Sequence, residues 1–207
     1  MESVNVVRSQ IMEYRASQEP AKTTTTVGVV GEATSYAGQP VRWKRPKFGV
    51  IKVNCDGAWC ESTLRGGYGW VVRDFAGMLL APGGEGGLLF NKAAMAEASA
   101  VRAALMVCRE RGFAEVEIES DSQGLIRMLN GEYDIDATLE CLLHDIRVLA
   151  SQVGRVSFVF VKRKGNVAAH AVASHVTLKR GSFCWDAHGP EFLFNILAED
   201  VNIPIRI

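Results

Sequence analysis

The chain is predicted to fold as an α/β domain, a mixed sheet carrying helices on its faces, and three observations lead there. The first is a set of extended, apolar-rich runs: FGVIKVNCDGAW from Phe48, YGWVVRDF at 68–75 and MLLAP at 78–82. The last two are joined by Asp74-Phe75-Ala76-Gly77, a turn sequence, so a three-stranded antiparallel meander is expected. The second is a switch to helical period between Asn91 and Arg111, where Met95, Ala98, Val101, Leu105 and Cys108 recur near 3.6-residue spacing and Gly112 stops the run. The third is the alternation that follows. VEIES at 116–120 reads as strand, SQGLIRMLNG at 122–131 as a short helix, 138–152 as a helix, SFVFVKR at 157–163 as strand, and Asn166 caps a helix through about Leu178. A meander followed by alternating helices and strands makes a mixed sheet.

Composition bounds the rest. The 207 residues suffice for one ordinary domain with extensions, and 48% hydrophobic with 22% charged positions can bury a substantial core. Twenty-three basic side chains balance twenty-three acidic ones, so no global field draws in a polyanion and any such partner must be held locally. Five cysteines without a CxxC pair argue against a disulfide framework or zinc ribbon and read as reduced thiols. No run approaches the roughly 20 apolar residues of a membrane span, and the opening twenty residues lack a signal-peptide core. The expectation is an intracellular chain, nuclear or cytoplasmic, with no membrane partner; KRPK at 44–47 is a short match to a nuclear signal. No oligomeric contact is legible, and a monomer is expected.

Residues 1–42 read as a flexible tail and linker, with a helix-like piece near 4–17 followed by AKTTTT and Gly-, Ser- and Pro-containing sequence. The domain is expected over 43–180. Residues 181–207 form a C-terminal extension, where WDAHGPEFLFNILAEDVNIP is expected to make a helix that packs Leu193, Ile196, Leu197 and Val201 on its own domain. GGYG at 66–69 and PGGEGG at 82–87 match no phosphate-binding loop and are read as hairpin turns.

Three acids stand where acids are expensive. Asp56 closes a run whose Ile51, Val53 and Cys55 are apolar, at the strand-to-loop corner where open α/β sheets place sites, although Asp before Gly is also turn chemistry. Glu97 has Ala93, Val101, Ala104 and Leu105 as its helical neighbours, so it is a carboxylate on an apolar face and needs either a basic partner or a metal ion. Asp121 lies between a strand and a helix, where it could equally cap that helix. Converging carboxylates raise one another's pKa unless cations neutralise them, and Mg²⁺ suits oxygen ligands. Acids from strand one, helix one and strand four therefore suggest metal-assisted phosphoryl chemistry.

The segments KVNCDGAW, GGYGWVVRDFAG, AEASAVRAAL, ESDSQ and KRKGNVAAHAVAS, in that order, resemble the ribonuclease H type 1 domain, in the form common in plant proteins related to non-LTR retroelement reverse transcriptases. The lead-in WKRPKFGVIKVNCDGA and the tail W…GPEFLFNIL are similar to that group as well, so the resemblance covers about residues 43–200. It implies a ribonuclease H-like five-stranded mixed sheet flanked by helices. It also implies endonucleolytic hydrolysis of the RNA strand of an RNA–DNA hybrid with Mg²⁺ (or Mn²⁺) held by Asp56, Glu97 and Asp121. His170 falls where the family carries a fourth acid and joins the catalytic candidates; imidazole suits softer metals than Mg²⁺. Lys92, Lys162, Arg163, Lys164 and Arg65 are the candidate nucleic-acid contacts. The KRKG loop has no histidine, and the stretch from Asn130 to Thr138 leaves no room for the basic helix of some relatives. A nucleic-acid-binding module of retroelement descent, weak or inactive as a catalyst, is the alternative that these departures leave open.

Overall fold

The structure, a computed structural model, describes residues 42–201. The tail expected over 1–42, apart from Arg42, and the helix-like piece at 4–17 lie outside the described residues. The elements are β1 (Ile51–Trp59), β2 (Arg65–Arg73), β3 (Leu79–Leu89), α1 (Ala93–Glu110), β4 (Glu115–Ser120), α2 (Gln123–Leu129), α3 (Glu140–Val153), β5 (Arg155–Phe160), α4 (Val167–Lys179), β6 (Gly181–Cys184) and α5 (Phe194–Asp200). Among the described residues no helix is long and apolar enough to cross a membrane.

The strands form one mixed sheet in the order β5-β4-β1-β2-β3-β6. β1, β2 and β3 make the expected antiparallel meander, while β4 joins β1 and β5 in parallel. One face of β1 carries Val53 and Cys55 into a core with Ala98, Val101, Leu105 and Cys108 of α1 and Leu143 and Ile146 of α3. A second, smaller core joins Val71 and Leu79 to Ala168, Val172 and Val176 of α4 and to Leu193, which precedes α5 and is fully buried. Ile196 and Leu197 of α5 pack against the same core.

Two features depart from the sequence expectation. The sheet has six strands, not five: Gly181–Cys184, assigned to the extension, pairs antiparallel with β3 from Gly83 to Gly86. Four residues, two of them Gly and Ser, show no alternation from which a strand could be read. The glycine clusters, in turn, lie inside β2 and β3 rather than in turns. α4 rests directly on four of them, Gly67, Gly69, Gly84 and Gly86. A Cβ at Gly69 would come within 2.6 Å of Val172 Cγ1 and 2.7 Å of Ala173 N, and one at Gly86 would overlap the Val176 carbonyl.

Gly86→Ala is therefore expected to lower stability by about 2 kcal/mol or more, because the obstacle is helix backbone that cannot rotate away. Gly124→Ala, on the exposed first turn of α2 with open space around its Cβ, is expected to raise it by roughly 0.5–1 kcal/mol. Urea unfolding of the two variants beside the parent chain checks the opposite signs.

Candidate active site

Parallel register brings the first two acids together. Cys55 of β1 pairs with Ser120 of β4, so Asp56 and Asp121, the next residues, emerge side by side on neighbouring strands. β1 does not end at Asp56 as expected; it continues to Trp59 because Gly57, Ala58 and Trp59 keep their partners on β2. The third acid is delivered by α1, whose backbone crosses β1 at Gly57. Any Cβ there would overlap the Glu97 backbone nitrogen, so glycine is what permits the approach. The Gly57 N–H donates to Glu97 Oε2 at 3.2 Å. Asp56, Glu97 and Asp121 each offer an oxygen within 4.8 Å of the others.

This concentration of charge is poorly compensated. Burial raises Asp56 to about 6; the His170 hydrogen bond and Arg163 pull the other way, and Asp121 adds to the rise. Glu97 is pushed well above the usual carboxylate range, first by burial and then by the charges of Asp56 and Asp121. Asp56 Oδ1 is buried and accepts no hydrogen bond. The donor set is entirely carboxylate oxygen, which suits a hard divalent ion, and an orphaned buried oxygen beside two further acids is what such an ion would satisfy.

The stretch that carries this geometry matches a known family. A model described as reverse transcriptase-like matches residues 54–176, which contain all three acids and His170. The chain belongs to the reverse transcriptase-like family. Its described domain has the ribonuclease H fold. The ribonuclease H1 of the halophilic archaeon Halobacterium salinarum NRC-1 is similar at 28% identity and a TM-score of 0.57, over 61% of this chain and 96% of that one. The N-terminal ribonuclease H domain of a Mycobacterium tuberculosis protein is similar in fold at 23% identity and a TM-score of 0.58, over 63% and 94% of the two chains. LC11-RNase H1, solved in complex with an RNA/DNA hybrid, shares the fold at 23% identity and a TM-score of 0.57, over 62% and 97%. No curated protein matches the chain.

In this reverse transcriptase-like chain the remaining candidates fall into two groups. His170, in the first turn of α4, directs Nδ1 at Asp56 Oδ2, 2.9 Å away. Arg163 reaches the same site and lies 3.0 Å from Asp121 Oδ2. Lys162 and Lys164, beside it in sequence, are exposed. Lys92 is 3.2 Å from Asp136 at the surface, and Arg65 opens β2 as an exposed side chain, so neither makes contact with an acid of the trio. Asp121 does not cap α2, since its carboxylate is engaged by Arg163 and by Asn166 Nδ2 at 3.3 Å.

Sequence reasoning missed the support beneath these residues. Asn166 makes no side-chain cap; it is buried, donating Nδ2 to the Cys55 carbonyl at 2.9 Å and accepting from Asn54 Nδ2 at 3.2 Å. Asn54 also donates to Glu119, which takes Lys52 Nζ at 2.6 Å, and accepts from the buried Arg73 at 2.8 Å. The signal was present in β1, where polar Lys52, Asn54 and Asp56 alternate with apolar residues and so share one face.

A folded Asp56 keeps its proton up to about 6, whereas the ordinary value is 3.8, so the native state binds the extra proton between these limits. Its favourable contribution is full below 3.8 and is lost as pH rises through 6. Metal-free protein is expected to lose about 1–3 kcal/mol from this group between pH 4 and pH 7.5, and Asp56→Asn to flatten that part of the profile. Denaturant titrations across the pH range in a chelating buffer check it.

Proposed function

We propose that this chain is a divalent-metal-dependent endonuclease that hydrolyses the RNA strand of an RNA–DNA hybrid. The observation that carries the reading is the trio of Asp56, Glu97 and Asp121, with oxygens within 4.8 Å of one another and a buried Asp56 oxygen lacking a hydrogen bond. Membership of a ribonuclease H-like family and the RNA/DNA hybrid bound in LC11-RNase H1 support it.

Mg²⁺ (or Mn²⁺) would be held by these three carboxylates and, when bound, supplies Lewis acidity at a phosphodiester oxygen and a water of lowered pKa. The residues of the chain do the rest. Gly57 N–H restrains Glu97 through Oε2, and Asn166 Nδ2 restrains Asp121 through Oδ1, so two of the three carboxylates are held in place. Because Asp56 and Glu97 hold protons more tightly than ordinary acids, binding a cation displaces those protons. Exposed Lys162 and Lys164 beside the site offer backbone phosphate contacts, and 2′-hydroxyl contacts would distinguish the RNA strand.

Incubating the full chain with an end-labelled RNA–DNA duplex and Mg²⁺ or Mn²⁺ is expected to shorten the RNA strand at internal positions. Asp56→Asn is expected to lower the rate on the order of 10³-fold, since it removes the carboxylate common to the buried site. Duplex binding without metal-dependent cutting in the parent chain would establish the binding module instead, and the enzyme reading would fall.

A further inference from the structure

At the end of the sheet where β1 begins and the β2–β3 hairpin turns, the surface carries an apolar patch that the acidic site does not use. Phe48 is 83% exposed, Met78 64% and Phe75 42%, and the two phenyl rings meet edge to face with centroids 4.7 Å apart. Phe48 is held outward by a turn in which Val50 N–H donates to the Lys47 carbonyl at 3.1 Å and Gly49 takes φ +82°. Phe75 and Met78 belong to the hairpin turn, where Asp74 Oδ1 accepts from the Ala76 and Met78 amides at 2.9 Å each. The rings therefore stand on fixed backbone, outside both cores. Large apolar side chains left in water this far call for a partner.

The charge beside them is one-sided. Lys44, Arg45 and Lys47, the cations of the KRPK run, are all exposed, and among the described residues none of their side chains forms an ion pair. Neighbouring carboxylates are already engaged: Asp74 by its own turn, Glu117 by Lys52 at 2.7 Å and Asp200 by Arg73 at 2.6 Å. The run is anchored as well, since Trp43 is buried against Arg73 and the Lys44 carbonyl accepts from buried Lys52 at 2.7 Å. The whole chain is charge-neutral, so these cations are a local concentration that complements an anionic partner. A polypeptide partner exchanges about ten hydrogen bonds of both polarities across an interface. This patch offers ring faces and cationic donors, which is what the bases and phosphates of a single nucleic-acid strand take up.

We propose that Phe48, Phe75 and Met78, with Lys44, Arg45 and Lys47, form a binding surface for single-stranded nucleic acid, whose bases stack on the rings and whose phosphates meet the cations. The surface is separate from the acidic trio, because Asp56 lies five residues beyond Ile51, about 17 Å further along β1. The proposal goes beyond the nuclease reading and does not depend on it.

Fluorescence anisotropy of the full chain with a labelled twelve-nucleotide oligothymidylate tests it, in chelating buffer and with a strand that holds no RNA to cut. The parent chain is expected to bind with Kd on the order of 10 μM. Phe48→Ala, at a ring outside both cores, is expected to weaken the strand about tenfold, and Phe48→Trp to restore it. Arg45→Gln/Lys47→Gln is expected to weaken binding and to flatten its log–log salt dependence by about 1.4, or about 0.7 for each phosphate contact removed. Lys162→Gln/Arg163→Gln/Lys164→Gln, beside the acidic site, is expected to leave strand binding unchanged. A parent chain that does not bind the strand overturns the proposal. Loss of binding in the triple variant overturns it by placing the strand at the acidic site, and full binding by Phe48→Ala does so by leaving charge attraction alone. Displacement of the strand by a twelve-residue glutamate peptide at equal concentration assigns the patch to an acidic polypeptide and overturns it too.

Discussion

The structure turns on the repulsion among three carboxylates that the fold forces into one buried corner. An isolated ionised acid out of water costs several kcal/mol, and two more of the same sign nearby raise that cost. Asp56 is wholly buried, and its compensation is partial: His170 answers Oδ2, while Oδ1 has Arg163 at 3.9 Å and no hydrogen bond. Surroundings that left the site neutral without help would leave a cation nothing to bind. In the proposed nuclease that repulsion supplies the affinity for a cation, and stability is given up where the chemistry needs it.

A strained corner keeps its geometry only if what lies beneath it is stiff. On the α4 face of the sheet, a chain of buried polar contacts runs from Asp200 of α5 through Arg73 and Asn54 to Asn166, and from there to Asp121 and the Cys55 carbonyl. Arg73 also stacks over the Trp43 ring at 3.8 Å, closing the far end. Each member bonds to the next, while Arg73 Nε stays buried without a hydrogen bond, so removing one member leaves its neighbours with further buried polar atoms unpaired. The C-terminal segment thus does more than cover apolar surface. Through Asp200 it anchors the arginine that donates to Asn54 Oδ1.

The sequence made the site more legible than the scaffold around it. Asp56, Glu97 and Asp121 stand out because each is a charge against an apolar or strand-end background, and such contrast survives in a one-dimensional reading. The mixed α/β fold class was also accessible, since α1 has a long uninterrupted 3.6 period and β1 and β4 alternate apolar with polar residues, and the resemblance of its motifs adds the ribonuclease H-like form. β6 was not, because four residues pair with β3 through backbone alone and need no pattern. Asn166 was read by its local role, as a cap, whereas its side chain answers three groups far away in sequence. Arg163 is legible only as a candidate nucleic-acid contact, and nothing local says that it turns inward: the acids that draw it lie 42 and 107 residues earlier.

That inward turn depends in the end on glycine. Arg163, Asn166 and His170 all belong to the turn and first helical turn of α4, so their distance from Asp56 is set by how closely α4 lies against β2 and β3. Gly69 and Gly86 leave no room for a Cβ beneath Val172, Ala173 and Val176, which means the helix is in contact with sheet backbone along that face. A helix held off by one layer of methyl groups would carry His170 away from Asp56 by more than the slack in a 2.9 Å hydrogen bond. The glycine clusters, which lack any functional group of their own, are therefore part of the reason a guanidinium and an imidazole can share a pocket with three acids.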